Sequence, residues 1–222
     1  MRAYIKVSLL TLCVAWGAQA VDRIWIKSEN GSWNNAAYWY DGVPALNDNA
    51  IFTNVFTGYV NFWPSQPAIT KIVVSNPDNI RTRVFKNSTQ IMKYGEFVKG
   101  KSALEGTISV TASSQTTSVG MLAEETAWLT LQSAGVFSAY RHALYIGGVE
   151  NARGQVTVKG TARLSLSMVD PGSYGLSVGR APGSIGSFVQ EAGTVQGVSY
   201  TFIGYDGYGA YEMQGGVFGS SV

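Results

Sequence analysis

The sequence predicts an all-β solenoid with an aromatic-rich cap at its N-terminal end, and three observations carry that reading. Tyr145-Ile146-Gly147 returns as Ser177-Val178-Gly179 and Phe202-Ile203-Gly204, with a fainter copy at Ser118-Val119-Gly120. The anchor glycines 120, 147, 179 and 204 stand 27, 32 and 25 residues apart, the self-similarity expected of stacked coils that share one core. Glycine is also concentrated: 17 of the 26 lie between Arg141 and Val222, as suits many short strands joined by tight corners. Finally, no segment sustains a 3.6-residue period, so almost no helix is expected.

Taken in order, the first twenty residues read as a secretory signal. Arg2 and Lys6 form the positive start, residues 7–16 an uncharged and mostly apolar run, and Ala18-Gln19-Ala20 a small-x-small cleavage site. The apolar run is shorter than the ~20 residues that cross a bilayer. Cleavage after Ala20 removes the sole cysteine, Cys13, and two of the 16 basic residues, leaving 14 against 14 acidic ones. A neutral chain lacks the clustered cations that nucleic acid or an anionic membrane needs. A chain without cysteine cannot be a disulfide-stapled secreted domain. Stability must come from an extended apolar core and ladder hydrogen bonds.

Residues 21–54 form the predicted cap. Trp25, Gly31, Trp33, Trp39, Gly42, Pro44, Asp48, Ala50 and Phe52 spell W-x5-G-x-W-x5-W-x2-G-x-P-x3-D-x-A-x-F. Gly42-Val43-Pro44 and Asn47-Asp48-Asn49 read as turns, and Ala50-Ile51-Phe52 begins a strand. The first coil of a solenoid has no neighbour below it, and bulky aromatics can cover that open end. The alternative use of Trp25, Trp33, Trp39 and Trp63 is a carbohydrate-stacking platform, although large aromatics chiefly contribute buried area.

This phrase resembles the opening segment of large secreted bacterial β-helix proteins of the autotransporter-associated repeat type, and the Val-Gly and Ile-Gly repeats downstream resemble their coils. The resemblance implies a right-handed parallel β-helix (pectin-lyase-like) displayed at or beyond the cell surface, capped by residues 21–54 and continuing through residues 55–222. It implies no shared catalytic residues. As a departure from the larger members, no translocator barrel or sorting tail is read within residues 21–222.

Between residues 55 and 106 the pattern is less regular. Ile69-Thr70-Lys71-Ile72-Val73-Val74 and residues 81–85 read as strands, and Asn76-Pro77-Asp78-Asn79 as a turn. The lysine-rich stretch 87–106 reads as a solvated loop or a protected edge. From Thr107 the coils become regular: Ile108 and Val110 point one way, Ser109 and Thr111 the other. Residues 121–128 read as one helical turn or a loop. Because the repeats run to the last residues, the end of the helix is expected to lack a cap and to self-associate end to end.

The chemistry expected of the chain is sparse. Glycoside hydrolysis needs two placed carboxylates, and Glu150, Asp170, Glu191, Asp206 and Glu212 are scattered. Asp206 and Glu212 are the pair that one face could hold. His142 is the only histidine, so a zinc site is not expected, nor is a serine nucleophile with its base; it reads as a surface or coil residue. Gly204-Tyr205-Asp206-Gly207-Tyr208-Gly209 lacks the strict nine-residue repetition of a calcium-binding glycine repeat, and no dinucleotide fingerprint occurs. No catalytic residue, cofactor or metal is expected. Two function classes remain: a structural or adhesive surface protein, and a carbohydrate-active β-helix that binds or cleaves polysaccharide. The first is favoured, secreted or at the cell surface, with an extracellular polysaccharide or cell-surface ligand as partner.

Overall fold

The computed structural model describes residues 20–55, 58–62, 67–77, 82–87, 89–111, 115–167, 175–198 and 200–219. Residues 1–19 of the predicted signal, Trp63, Asp78 and Asp170 lie outside them. The chain is a parallel β-helix. Apart from one 3-10 turn at Ala36–Tyr38, the regular structure of the described residues is strand.

Three stacks of parallel strands form the walls. The first runs Asp22–Trp25, Asn49–Phe52, Ile69–Ser75, the middle of Thr89–Leu104, Thr116–Val119, Ala143–Ile146, Leu176–Val178 and Thr201–Ile203. The second runs Gly31–Ser32, Tyr59–Asn61, Thr82–Lys86, the end of Thr89–Leu104, Thr126–Leu131, Arg153–Val158, Ile185–Gln190 and Tyr208–Met213. The third begins at Thr89 and runs through Thr107–Val110, Val136–Tyr140, Arg163–Ser167, Thr194–Gln196 and Val217–Gly219. In the completed coils one strand from each stack makes one turn.

Alternation along each strand turns into columns across the coils. On the first stack Phe52, Val74, Phe97, Val119, Ile146, Val178 and Ile203 lie in register. All but Ile203 are buried. On the third stack Ile108, Phe137, Leu164 and Val195 do the same. Period-2 alternation along a strand therefore becomes continuous apolar columns inside the helix. Ile203 holds its place in the column but is 50 % exposed, since Thr201–Ile203 is the last strand of its stack among the described residues. With Tyr211, Met213 and Phe218 it lines an apolar hollow of about 290 Å³ on the end face.

The corners explain the glycines. Gly120, Gly147, Gly179 and Gly204 take φ of +82°, +69°, +70° and +71°, a region that costs other residues roughly 1–2 kcal/mol. The second glycine column, Gly154, Gly186 and Gly209, is in register as well. A third column is less regular. The residue preceding each third-stack strand is Gly106, Gly135, Ala162, Gly193 or Gly216, as the ladder bonds from Val136, Arg163, Thr194 and Val217 show. Gly160 and Gly215 therefore fall outside the column, and Gly160 makes a separate turn at φ +65° beside Ser133.

The expected loop or edge at 87–106 is instead the longest described strand, Thr89–Leu104, which starts in the third stack, crosses the first and ends in the second. Gln90, Met92, Phe97, Ser102 and Leu104 face inward, and Lys93 faces out to solvent. Gly100, at φ +75°, bends the strand between stacks. The lysines thus mark an outer face, and the inward set between them carries the strand. Residues 121–125 connect two stacks, with Ala123 bridging to Ala152, and Thr126–Leu131 follows as strand.

The aromatic cluster at the N-terminal end packs as expected of a cap. Trp39–Tyr40 pairs antiparallel with Ile24 and Trp25 on the edge of the first strand that faces away from the helix. The Trp39 indole lies 5.0 Å from Trp25 and 4.8 Å from Trp33, both edge-on. Phe52 and Phe62 continue the cluster into the coils. Arg83 is buried beside it, its guanidinium 4.9 Å from the Phe52 ring centre and bonded to the Asn54 carbonyl at 2.9 Å. Burial pulls this group down to about 9, which leaves it charged at neutral pH.

Candidate functional site: the outer face of the first stack

The tryptophans assigned to sugar stacking do not form a platform. Trp25 and Trp33 are 0 % exposed and Trp39 is 3 % exposed, so no ring face remains for a sugar. Burying three large rings at the open end of a solenoid removes more apolar area from water than any other use of them. Nor is His142 at the surface. It is buried behind a corner, with Nε2 2.9 Å from Thr117 Oγ1, which accepts the Gly95 N–H at 3.1 Å. This is an internal polar link between three coils.

The carboxylates are drawn into contacts along the wall. Glu96 meets Lys71 at 3.1 Å, Glu105 meets Lys86 at 3.2 Å, Glu125 meets Lys99 at 3.2 Å, and Asp206 meets Arg180 at 3.3 Å. Each pair joins neighbouring coils. Glu212 accepts from Gln214 Nε2 at 2.8 Å, so Asp206 and Glu212 have separate partners rather than a shared site. Burial alone would pull Lys71 down, but the hydrogen bond and charge of Glu96 hold it above the ordinary lysine range. Such partly exposed pairs contribute about 0–1 kcal/mol each, and each sets opposite charges side by side on the outer surface.

What the structure brings together is a strip on the outside of the first stack. The residue before each core residue lies on the opposite side of the strand, and Glu96, Ser118, Tyr145, Ser177 and Phe202 therefore share one column, which is open at Glu96, Tyr145 and Phe202 and covered at Ser118 and Ser177. Beside Glu96 and Ser118 a cleft of about 400 Å³ is lined by Tyr94, Gln115, Thr116 and Met121 as well. Lys71 lies 5.7 Å from the Tyr94 ring centre while it holds Glu96, which fixes both side chains at the cleft. Further along the column Arg180 sits 5.2 Å from the Tyr145 ring centre and 4.1 Å from that of Tyr205. Phe202 meets Tyr205 edge-on at 5.5 Å. Four coil steps separate the Glu96 and Phe202 positions, roughly 19 Å at ~4.8 Å per step.

Sequence reasoning passed over this strip because it looked for glycines in these phrases. The signal was present one residue earlier, in the outward parity of Tyr145 and Phe202. Chemically the strip offers ring faces, hydroxyls, one amide and neutralised charges. It exposes a sheet face rather than an edge, so a ligand there is read by side chains. Among the described residues no group of three or more His, Cys, Asp or Glu is placed to hold a metal ion, and no helix is long and apolar enough to cross a membrane. No family model, no curated protein and no solved structure matches the chain.

Proposed function

We propose that the chain is a non-catalytic, secreted or cell-surface β-helix protein of the structural or adhesive passenger type, similar in kind to autotransporter-associated repeat proteins. The observation that carries this reading is the use of the outer carboxylates. Lys71–Glu96, Lys86–Glu105, Lys99–Glu125 and Arg180–Asp206 each tie one coil to the next, whereas a hydrolase holds two carboxylates facing one bond. The export signal read at residues 1–20 supports placement outside the cytoplasm.

The cleft and the aromatic strip favour one ligand class for the adhesive role: a neutral, hydroxyl-rich polysaccharide lying along the axis. Sugar rings stack their apolar faces on aromatic rings, while their hydroxyls meet groups such as Gln115, Thr116 and Ser118. The cations on the strip already have carboxylate partners, which favours a neutral glycan over an acidic one.

Calorimetric titration of the chain from Val21 with cellohexaose, xylohexaose, mannohexaose and hexagalacturonic acid tests both statements, together with a reducing-end assay of each mixture. Saturable binding of a neutral hexaose is expected, weakened roughly tenfold by Tyr205→Ala, about the ~1.4 kcal/mol that one ring stack contributes. Tyr208→Ala, on the second stack, is expected to leave it unchanged. No new reducing ends are expected. Release of reducing ends that stops with Glu96→Gln would contradict the non-catalytic reading, and preference for the acidic hexaose would contradict the ligand class.

A further inference from the structure

Asp48 lies where the aromatic cap meets the first wall, and it is only 7 % exposed. Its two oxygens are used differently. Oδ2 takes the Arg23 Nε–H at 3.0 Å and the Ala45 N–H at 3.0 Å. Oδ1 faces the backbone nitrogen of Val21 at 3.3 Å. Val21 is held from its other side too, because its carbonyl accepts the Asn49 N–H at 2.8 Å. The residue that begins the mature chain is therefore fixed against a buried carboxylate.

We propose that Asp48 is the binding site for the α-ammonium group that signal cleavage creates at Val21, so that export completes the cap. Cleavage by the export peptidase consumes one water. The Ala20–Val21 C–N bond breaks, the hydroxyl stays on the Ala20 carboxyl, and Val21 keeps its nitrogen as an amine that is protonated at neutral pH. Before cleavage that nitrogen is an amide with one N–H and no charge. Afterwards it carries three donors and a full positive charge beside Oδ1. A buried carboxylate served by one cation thereby gains a second, and charge-assisted hydrogen bonds are about twice as strong as neutral ones.

The surroundings are consistent with this. Burial pushes the Asp48 carboxyl up, but the hydrogen bonds from Ala45, Arg23 and Val21 and the charge of Arg23 together hold it below the usual carboxylate range. At neutral pH it is ionised while the amine is protonated. Arg23 is shared, since its Nη1 also donates to the Asp41 carbonyl. The nearby Asp22 accepts the Asn49 Nδ2–H at 2.7 Å, and Lys71, one coil on, is paired with Glu96. The new ammonium thus meets one carboxylate oxygen aimed at it and no competing cation on that oxygen.

The inference rests on the reading of cleavage after Ala20, and the experiment separates the two. Three forms of the chain are melted: one starting at Val21 with a free amine, the same chain Nα-acetylated, and one starting at Ala20. At pH 6.5 the free Val21 form is expected to melt about 2–4 °C above the other two. The ammonium is favoured by the folded state, so its contribution is complete below the ~8 of a free α-amino group and is lost as pH rises past it. The gap is therefore expected to close by pH 9.5. In Asp48→Asn the gap should be absent at both pH values. Equal melting of the free and acetylated forms at pH 6.5, or a gap that survives in Asp48→Asn, overturns the assignment. N-terminal sequencing of the exported protein is expected to begin at Val21, and any other first residue overturns the export half of the proposal whatever the melts show.

Discussion

Gly179→Val is expected to lower the melting temperature by on the order of 10 °C, more than any substitution at a glycine with open space around it. Two costs combine at this corner. The residue sits at φ +70°, where a side chain adds roughly 1–2 kcal/mol and a β-branched one more. A Cβ there would also stand 2.4 Å from the Tyr208 carbonyl oxygen and 2.5 Å from its carbon, both in the backbone of the next coil. Backbone cannot swing aside as a side chain can, so overpacking of about 1–3 kcal/mol is added. Gly42 separates the two costs. Its φ is +91°, yet nothing lies within 4 Å of its would-be Cβ, so Gly42→Ala should lose only the conformational part. Gly147→Val should fall between them, because its nearest obstacle is the Ser184 hydroxyl at 2.9 Å. Thermal melts of the three variants read this order directly, and equal shifts would remove the coil-corner explanation.

Trp33→Ala is expected to cost about 3–5 kcal/mol, the range for deleting a buried large aromatic. Trp33 is fully buried among Trp39 at 4.8 Å, Phe62 at 5.3 Å and Phe52 at 6.1 Å. The cavity would open at the junction of cap and coils, where the wall has only the short pairing of Gly31–Ser32 with Val60 and Asn61. The Trp39 indole bond to the Trp33 carbonyl at 2.7 Å is to backbone and survives the change, so the loss is one of packing. Trp33→Phe should retain most of the stability, since among the described residues the Trp33 indole N–H has no acceptor. Chemical denaturation of both variants, alongside hexaose titration, separates the roles. A stable Trp33→Ala chain that has lost sugar binding would restore the stacking role that burial denies it.

The sequence made the corners legible because glycine is the residue that takes positive φ without strain. Gly120, Gly147, Gly179 and Gly204 could be aligned by eye, and the ladder places them in register. The alternation of Ile108 and Val110 against Ser109 and Thr111 was legible for the same reason: one wall faces a core and the other faces water. Thr89–Leu104 was not. A strand that bends through three stacks changes its inward parity at each corner, so its alternation breaks at Lys93-Tyr94 and at Val98-Lys99, and its lysines dominate the reading. The third glycine column was blurred because Ala162 occupies one of its positions and Gly160 serves a turn of its own. His142 gave no sign of burial, since its partner Thr117 lies 25 residues away and is its neighbour only through coil stacking. The outer strip was hidden for a related reason. Glu96, Tyr145 and Phe202 are far apart along the chain, and only the register makes them one surface.

That register is what the whole account stands on, and cysteine pairs read it. The mature chain has no native cysteine, since Cys13 lies in the predicted signal. Thr130 and Thr157 face outward on successive coils and are in register, and Val189 takes the same position one coil further. Neighbours in a parallel stack are ~4.8 Å apart, inside the range that a disulfide spans, whereas two coils put the pair at roughly 9.6 Å, beyond it. Under mild oxidation Thr130→Cys/Thr157→Cys is expected to form an intramolecular disulfide and Thr130→Cys/Val189→Cys is not. A disulfide in the second pair with none in the first would contradict the parallel, in-register stacking of the coils.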